Sequence, residues 1–244
     1  RDGELLYLTK KSKKEGFLVH CPLEEYKIIQ QDLASNLEEF LGTTHLPIII
    51  TEGRTDKKIL ETAWSKLFPE EKLIFTIIPS GLNHLDEEKR TGGAKQLNNT
   101  LSYLSTVYNY ITIGLFDNDK EGVEQLKGLN KELFEDFNLE KNIVRKHKRK
   151  PIYGMSLPVP ETRKLFVTDN DIIQRYFTIE CYFSNETLDE HNLKGTSILG
   201  TEVFNLKDNN KVDFSEKCTD LKKEDFIHFE ILFEKLREII SQQT

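Results

Sequence analysis

Short apolar runs alternate along the chain with longer segments whose apolar residues recur every three or four positions. The runs are typical of strands buried on both faces of a sheet, and they lie at 47–51 (PIIIT), 73–78 (LIFTII) and 111–116 (ITIGLF). The longer segments are predicted amphipathic helices, at 55–68, 91–108 and 120–137. This order of strands and helices predicts an α/β fold with a mostly parallel sheet and helices on both faces.

Three further segments flank this alternating region. Residues 1–22 predict a β-hairpin around the basic turn KKSKKE, and residues 23–41 predict a helix that ends at Gly42. The last twenty residues have the periodicity of an amphipathic helix. We therefore expect an N-terminal hairpin and helix (1–46), an α/β core (47–185) and an integrated C-terminal extension (186–244).

Composition excludes several classes of protein. The chain has 244 residues, of which 37% are hydrophobic, enough for a buried core. No apolar run approaches the roughly 20 residues that span a bilayer, and no signal peptide is visible, so we expect no membrane contact and a cytoplasmic location. The net charge of −7 argues mildly against a nucleic-acid partner, although carboxylates that bind metal also count as negative charge.

The sulfur-containing residues add two expectations. The three cysteines (Cys21, Cys181 and Cys218) are far apart and form no CxxC pair, so neither a zinc site nor a disulfide framework is predicted. The chain begins at Arg1 and its only methionine is Met155. We therefore expect the sequence to be a piece of a longer polypeptide.

Carboxylates follow two of the predicted strands directly. Glu52 comes after the strand at 47–51, and Asp117 and Asp119 come after the strand at 111–116. Active residues of parallel sheets lie at the carboxyl ends of the strands, so these side chains are expected at one edge. Asp56 follows one helical turn after Glu52.

Converging carboxylates repel one another unless protons or a cation neutralise them. Oxygen ligands suit a hard cation such as Mg²⁺ or Mn²⁺, and such sites commonly serve phosphoryl transfer. Each motif also has an ordinary interpretation, because Asp and Asn favour turns and Asp56 suits a helix N-terminus. The two motifs in order, each after a buried strand, favour the metal site.

The stretches IIITEGRTDKKIL and ITIGLFDNDKEG resemble the Toprim domain of topoisomerases, bacterial primases, ribonuclease M5 and nucleases of the OLD (overcoming lysogenisation defect) family. Glu52 matches the family's strand–Glu–Gly element, and Asp117 and Asp119 match its Asp-x-Asp element. The resemblance covers residues 47–120. It implies a Rossmann-like Toprim fold and a metal-dependent nuclease.

Further matches point to the OLD type. The resemblance implies that Asp56 is an additional acid, that Glu180 in FTIECYF is a later metal ligand, and that a lysine near the C-terminus is catalytic. Lys211 is the favoured lysine and Lys217 the other candidate. The block YGMSLPVPETRK with FTIECYF is similar to Toprim proteins paired with or fused to ABC-type ATPases in phage-defence systems, which implies such an ATPase as a partner.

The implied mechanism assigns a role to each residue. Asp117, Asp119 and Glu180 hold one Mg²⁺ or Mn²⁺, and Glu52 and Asp56 hold or share a second. Glu52 also takes part in proton transfer, and Lys211 neutralises the transition state.

Basic residues are candidates for contacts with nucleic acid. Lys148, Arg149 and Lys150 end the run RKHKRK, and Arg54 and Arg163 lie close to the motifs in sequence. A solvated surface is the ordinary interpretation of the basic run. The turn TGGAKQL resembles a phosphate-binding turn but lacks the P-loop spacing, so nucleotide binding is not predicted.

Two alternatives belong to other functional classes. One is a non-catalytic Toprim subunit that regulates or scaffolds an ATPase complex. The other is a receiver-type switch that is phosphorylated on Asp117, but such domains are about half this length and need a Lys and Thr that have no counterpart here. A topoisomerase or primase is disfavoured, because no catalytic tyrosine region or zinc finger is present. The choice between DNA and RNA stays open, as does a homo-oligomer through the hairpin or the C-terminal helix.

Overall fold

The computed structural model describes residues 5–12, 15–21, 46–80, 92–107, 109–168 and 175–242. The chain divides into two compact units, residues 1–45 and residues 46–244. In the first unit, β1 (Leu5–Ser12) pairs antiparallel with β2 (Glu15–Cys21). The predicted hairpin is therefore confirmed over these residues, and the helix predicted at 23–41 lies outside the described residues.

A mostly parallel sheet forms the centre of the second unit. Its described strands are β3 (Ile48–Thr51), β4 (Thr76–Pro79), β5 (Thr112–Phe116), β7 (Val144–Lys146) and β8 (Ile152–Ser156). They are ordered β4–β3–β5–β8–β7, and all neighbours are parallel except the edge pair β8–β7. The predicted α/β fold with a mostly parallel sheet is confirmed.

Helices and shorter strands surround this sheet. The described α-helices are α1 (Arg54–Leu67), α2 (Ala94–Val107), α3 (Lys120–Lys127), α4 (Asn185–Glu190), α5 (Lys211–Lys217) and α6 (Glu230–Ser241). Two small antiparallel pairs join β6 (Asn118–Asp119) to β9 (Tyr176–Phe177) and β10 (Lys194–Ser197) to β11 (Phe204–Leu206). The 3-10 helices are Glu161–Val167, Ile179–Tyr182, Asp208–Asn210, Cys218–Asp220 and Lys223–Phe229.

Both faces of the sheet are covered, which explains why its strands are continuously apolar. On one face, Ile49 and Ile113 pack in the main core with Ile59, Leu60 and other residues of α1. On the other face, glycines let helices approach closely. A Cβ on Gly114 would lie 3.0 Å from a Leu101 methyl of α2. Since successive strand residues point to opposite faces, both sets must be apolar.

The C-terminal extension packs onto the same core through aromatic side chains. The Trp64 ring of α1 lies 5.2 Å from that of Phe233 in α6, and the Phe183 ring lies 5.2 Å from those of Phe226 and Phe229. The predicted C-terminal helix is divided, because the 3-10 helix Lys223–Phe229 precedes α6. None of the described helices is long and apolar enough to cross a bilayer.

Two predicted elements are longer than the real ones. The helix predicted at 120–137 ends at Lys127, where Gly128 forms the C-cap. There, the Arg145 side chain donates to the Leu126 and Lys127 carbonyls at 3.0 and 2.9 Å and takes up acceptors that a longer helix would need. The strand predicted at 73–78 begins only at Thr76, because its pairing with β3 starts there.

Arg145 provides a test of this helix end. Its side chain is 4% exposed and also donates from Nε to the Glu135 carbonyl at 2.9 Å. Replacing Arg145 by Met removes three hydrogen bonds, of which the one to the Leu126 carbonyl is buried, so we expect the free energy of unfolding to fall by about 2 kcal/mol. Urea denaturation measures this, with Lys146→Met on the exposed neighbour as control. Equal stability of the two variants would contradict the capping role.

Candidate metal centre and active site

The carboxyl ends of β3 and β5 bring the two sequence motifs into direct contact. These strands are parallel neighbours, with Ile50 paired to Gly114. Glu52 and Asp117 follow them, and the Asp117 N–H donates to Glu52 Oε1 at 3.0 Å. The structure therefore brings together residues that are 65 positions apart in the sequence.

The backbone of Glu52 is fixed by its neighbours. Its carbonyl accepts hydrogen bonds from the Ser80 hydroxyl and the Gly93 N–H, both at 2.9 Å. Gly93 has φ +99°, which favours glycine. Gly93 thus contributes to positioning Glu52, and its N–H, which a phosphate would need, already has an acceptor.

Asp56 and Asp119 each accept a backbone hydrogen bond at the start of a helix, Asp56 as the third residue of α1 and Asp119 as the N-cap of α3. Asp56 accepts from the Gly53 N–H at 2.8 Å at the start of α1, and Asp119 accepts from the Gly122 N–H at 2.7 Å at the start of α3. A carboxylate at this position satisfies an unpaired backbone donor. These hydrogen bonds direct both side chains back toward the sheet edge that carries Glu52 and Asp117.

Glu180 reaches the same edge by a different route. The pairing of β9 with β6 places the following 3-10 helix beside Asp117, whose Oδ1 accepts from the Ile179 N–H at 3.2 Å. Glu180 Oε2 accepts from the Thr178 hydroxyl at 2.6 Å. The side chain is 1% exposed, and its Oε1 is buried without a hydrogen-bond partner. Glu52, Asp56, Asp117, Asp119 and Glu180 together are called the acidic set below.

Lys211 is the lysine that lies against these acids. It is the first residue of α5, and its Nζ is 3.6 Å from Glu180 Oε1 and 3.4 Å from Asp208 Oδ1. Lys217, at the other end of α5, pairs instead with Asp213 at 2.8 Å, and its side chain is 55% exposed. Of the two candidate lysines, the structure therefore brings Lys211 to the acidic set and leaves Lys217 at the surface.

Burial and mutual repulsion disfavour charge on the acidic set. Burial raises the pKa of Glu52 to about 8. The hydrogen bond from the Asp117 N–H lowers this pKa, whereas repulsion from Asp56 and Asp119 raises it further. Burial and then the charge of Glu180 raise the pKa of Asp56 to about 6. Burial also raises the pKa values of Asp117 and Asp119. Without a bound cation, the site holds protons that an unfolded chain would release.

The pKa of Glu52 predicts how the stability of the metal-free protein varies with pH. A carboxyl whose pKa rises from 4.5 to about 8 on folding stabilises the protein below pH 4.5, and this contribution is lost as the pH rises through 8. Between pH 7 and pH 8 we expect the free energy of unfolding to fall by about 1 kcal/mol. Thermal unfolding in EDTA measures this as a melting temperature lower by about 2–4 °C.

The control for this measurement is Glu52→Gln, which removes the titrating group and should flatten the slope between pH 7 and pH 8. His147 does not interfere in this window. Burial lowers the pKa of His147 below 6.5, so protonation of His147 changes the free energy of unfolding only at a pH below this window. A wild-type stability that is constant or rises between pH 7 and pH 8 would contradict the prediction.

The acidic set fits a hard divalent cation in its chemistry. Its members offer carboxylate oxygens, the ligands that Mg²⁺ and Mn²⁺ prefer, and the unpartnered Oε1 of Glu180 is an unused buried acceptor. Within the described residues, no three Asp, Glu, His or Cys side chains form a ready-made set of ligands around one point. In this structure, oxygens of the acidic set instead accept hydrogen bonds from neighbouring N–H and hydroxyl groups.

The basic residues predicted to contact nucleic acid do not gather at this edge. Lys148, Arg149 and Lys150 follow the antiparallel strand β7, which places them at the opposite end of the sheet from Glu52. Strand direction therefore separates this run from the acidic set. Arg54 is exposed at the start of α1, directly after the Glu52 turn, so it alone of these candidates has both exposure and proximity.

Arg163 supports the fold. Its side chain is 7% exposed, and its guanidinium donates to the Cys181 carbonyl at 3.1 Å, to Asn185 Oδ1 at 2.6 Å and to the Phe183 carbonyl. These bonds hold the guanidinium inside the protein and fix the chain that follows Glu180. The side chain is not placed to contact a phosphate.

Beside the acidic set lies a cleft of about 750 Å³, and it contains residues that the sequence did not single out. Its lining includes Lys120, Arg175, Tyr176 and Asn205 together with Asp119 and Lys211. Arg175 donates to Asn118 Oδ1 at 2.7 Å and so supports the Asp-x-Asp turn. The sequence gives little indication that these residues line a cleft, since Arg175 and Tyr176 only precede the apolar segment that contains Glu180.

Comparison of the chain with protein-family models, with curated proteins and with solved structures found no match. The Toprim resemblance therefore rests on the motifs themselves.

Proposed function

We propose that this protein is a Toprim-type endonuclease of the OLD kind that hydrolyses phosphodiester bonds of nucleic acid with Mg²⁺ or Mn²⁺. The observation that supports this most directly is the hydrogen bond from the Asp117 N–H to Glu52 Oε1 at 3.0 Å. It joins the two motifs on which the resemblance rests, at the sheet edge where parallel α/β folds carry their active residues. Glu180 and Lys211 add an acid and a cation at the same edge.

The residues divide the work as follows. Asp117, Asp119 and Glu180 would hold one cation, and Glu52 and Asp56 would hold or share a second. When bound, the metal polarises the phosphodiester and lowers the pKa of water. Glu52 would move a proton, since burial raises its pKa to about 8, close to neutral pH. The Lys211 ammonium neutralises negative charge that develops on the phosphate.

An ABC-type ATPase, in cis or in trans, is the proposed partner, and defence against phage is the proposed setting. Both follow from the resemblance of the block YGMSLPVPETRK with FTIECYF to Toprim proteins of such systems. The negative net charge of the chain is compatible with this proposal if the partner supplies the basic surface that holds nucleic acid.

A non-catalytic Toprim subunit of an ATPase complex is the alternative, and one observation favours it. Oxygens of the acidic set are already engaged by neighbouring N–H and hydroxyl donors, and the described residues hold no ready-made group of three metal ligands. Against it stands the cost of keeping mutually repelling carboxyls at one partly buried edge, where an apolar or neutral set would be more stable.

A cleavage assay decides between the two. The protein, alone and with any ABC-type ATPase that copurifies with it, is incubated with plasmid DNA and with total RNA in Mg²⁺ or Mn²⁺. Metal-dependent cleavage that EDTA stops supports the nuclease. If neither substrate is cut under any of these conditions, the nuclease proposal is wrong and the non-catalytic subunit is favoured.

A further inference from the structure

Lys211 is a partly buried ammonium among carboxyls. It is the first residue of α5, which continues directly from the 3-10 helix Asp208–Asn210. Its side chain is only 23% exposed, so the ammonium is partly removed from water. The neighbouring carboxyls therefore hold an ammonium that burial disfavours.

Two carboxyls share the ammonium unequally. Glu180 Oε1 lies 3.6 Å from Nζ, is buried and has no hydrogen-bond partner. Asp208 Oδ1 lies 3.4 Å from Nζ, but the Asp208 side chain is 78% exposed. The contact between Lys211 and Glu180 is thus an ion pair without a hydrogen bond. Glu180 Oε1 is a buried carboxylate oxygen that a divalent cation could bind more strongly than the ammonium does. Asp208 remains as a solvated partner that can keep the ammonium.

We propose that the Lys211 ammonium is the internal counter-ion of the acidic set, and that a divalent cation displaces it from Glu180 toward Asp208. Lys211 and the metal then compete for the same carboxylate oxygen, and Asp208 is the positioning residue that holds the lysine once it is displaced. This deepens the proposed function and rests on its metal site. It gives the lysine two positions, one that shields the acids and one that faces the cleft, which both Asp208 and Lys211 line.

Chemical labelling of the wild-type protein tests the displacement. Acetic anhydride modifies a lysine faster the more its ammonium is exposed to solvent, and mass spectrometry measures the rate for each lysine. In EDTA we expect Lys211 to react several-fold more slowly than Lys217, which has 55% of its side chain exposed. Saturating Mg²⁺ should raise the Lys211 rate on the order of tenfold and leave Lys217 unchanged. An unchanged Lys211 rate, with Mg²⁺ binding shown by calorimetry, would overturn the proposal.

Two variants test the competition by a second readout. In Lys211→Met the competitor is gone, so calorimetry should show Mn²⁺ bound on the order of tenfold more tightly, whereas Lys217→Met on the same helix should bind Mn²⁺ as the wild type does. In Asp208→Asn the displaced lysine loses its solvated partner, so Mn²⁺ affinity should fall. Weaker or unchanged Mn²⁺ binding in Lys211→Met would contradict the competition.

The outcome is separable from that of the proposed nuclease. If Mg²⁺ releases Lys211 but no nucleic acid is cut, the displacement stands and the nuclease proposal fails. If neither Mg²⁺ nor Mn²⁺ binds to the wild-type protein, the displacement proposal fails directly. Labelling uses only the wild-type chain, so the test does not depend on a variant that folds.

Discussion

Replacing Glu52 by Gln is expected to lower the rate of metal-dependent cleavage about 10³-fold, the range in which loss of a proton-transferring carboxylate falls. Glutamine has nearly the same shape and keeps a carbonyl oxygen that can accept from the Asp117 N–H, as Glu52 Oε1 does at 3.0 Å. The fold should therefore survive, while the charge and the proton acceptor are lost. Initial rates on plasmid DNA and on total RNA in Mg²⁺ measure the effect.

Glu61→Gln is the matched control. Glu61 lies on the exposed side of α1 and pairs with Lys57 at 3.7 Å, away from the acidic set. An exposed pair of this kind contributes little to stability, so this variant should cut at the wild-type rate. If Glu52→Gln also cut at the wild-type rate, Glu52 would have no part in the reaction, even if the protein were a nuclease.

The strands that carry the site are predictable because burial on both faces makes their consecutive residues apolar. β3 and β5 are buried along their whole length and covered on both faces. In the sequence they are therefore continuous apolar runs, and Glu52 and Asp117 follow them directly. Parallel pairing of neighbouring strands then places these two residues at one edge. The helix α1 was equally clear, since Ile59, Ala63 and Trp64 fall on one stripe and all are buried.

The features that sequence reasoning missed depend on contacts between distant parts of the chain. Gly128 is a local stop signal for α3, but the apolar periodicity continues past it, and the contact from Arg145 that also ends the helix is distant in the sequence, so the predicted helix is ten residues too long. The basic run at 148–150 was a candidate for phosphate contacts, but the antiparallel direction of β7 carries it to the other end of the sheet. Strand direction is set by the whole topology, and the residues of the run do not encode it.

The position of Glu180 was predictable only in part from the sequence. Its apolar neighbours predicted burial, and a buried carboxylate suggested a cation or donors nearby. The resemblance named it as a ligand, but the way in which it reaches the site follows from the pairing of β9 with β6, over only two residues of each strand. That pairing brings the Ile179 N–H to Asp117 Oδ1, and no periodicity in the sequence encodes it.

Gly122→Ala is expected to damage both the fold and the site. A Cβ at this position would lie 2.2 Å from the Asp117 carbonyl oxygen and 3.1 Å from the Asp117 nitrogen, so the backbone of the Asp-x-Asp turn must move. We expect the free energy of unfolding to fall by about 3 kcal/mol. Thermal unfolding should show a melting temperature lower by about 6–12 °C.

Relaxation of the turn would not rescue the activity. The Asp117 N–H donates to Glu52 Oε1 at 3.0 Å, and Asp117 Oδ1 accepts from the Ile179 N–H at 3.2 Å, so any shift that relieves the clash weakens the contacts that join three parts of the site. Gly128→Ala at the other end of α3 is the control. Its Cβ would lie 3.2 Å from the Glu124 carbonyl oxygen, a contact that small adjustments can relieve. If Gly122→Ala were as stable and as active as Gly128→Ala, the close approach of α3 to Asp117 would have no role in building the site.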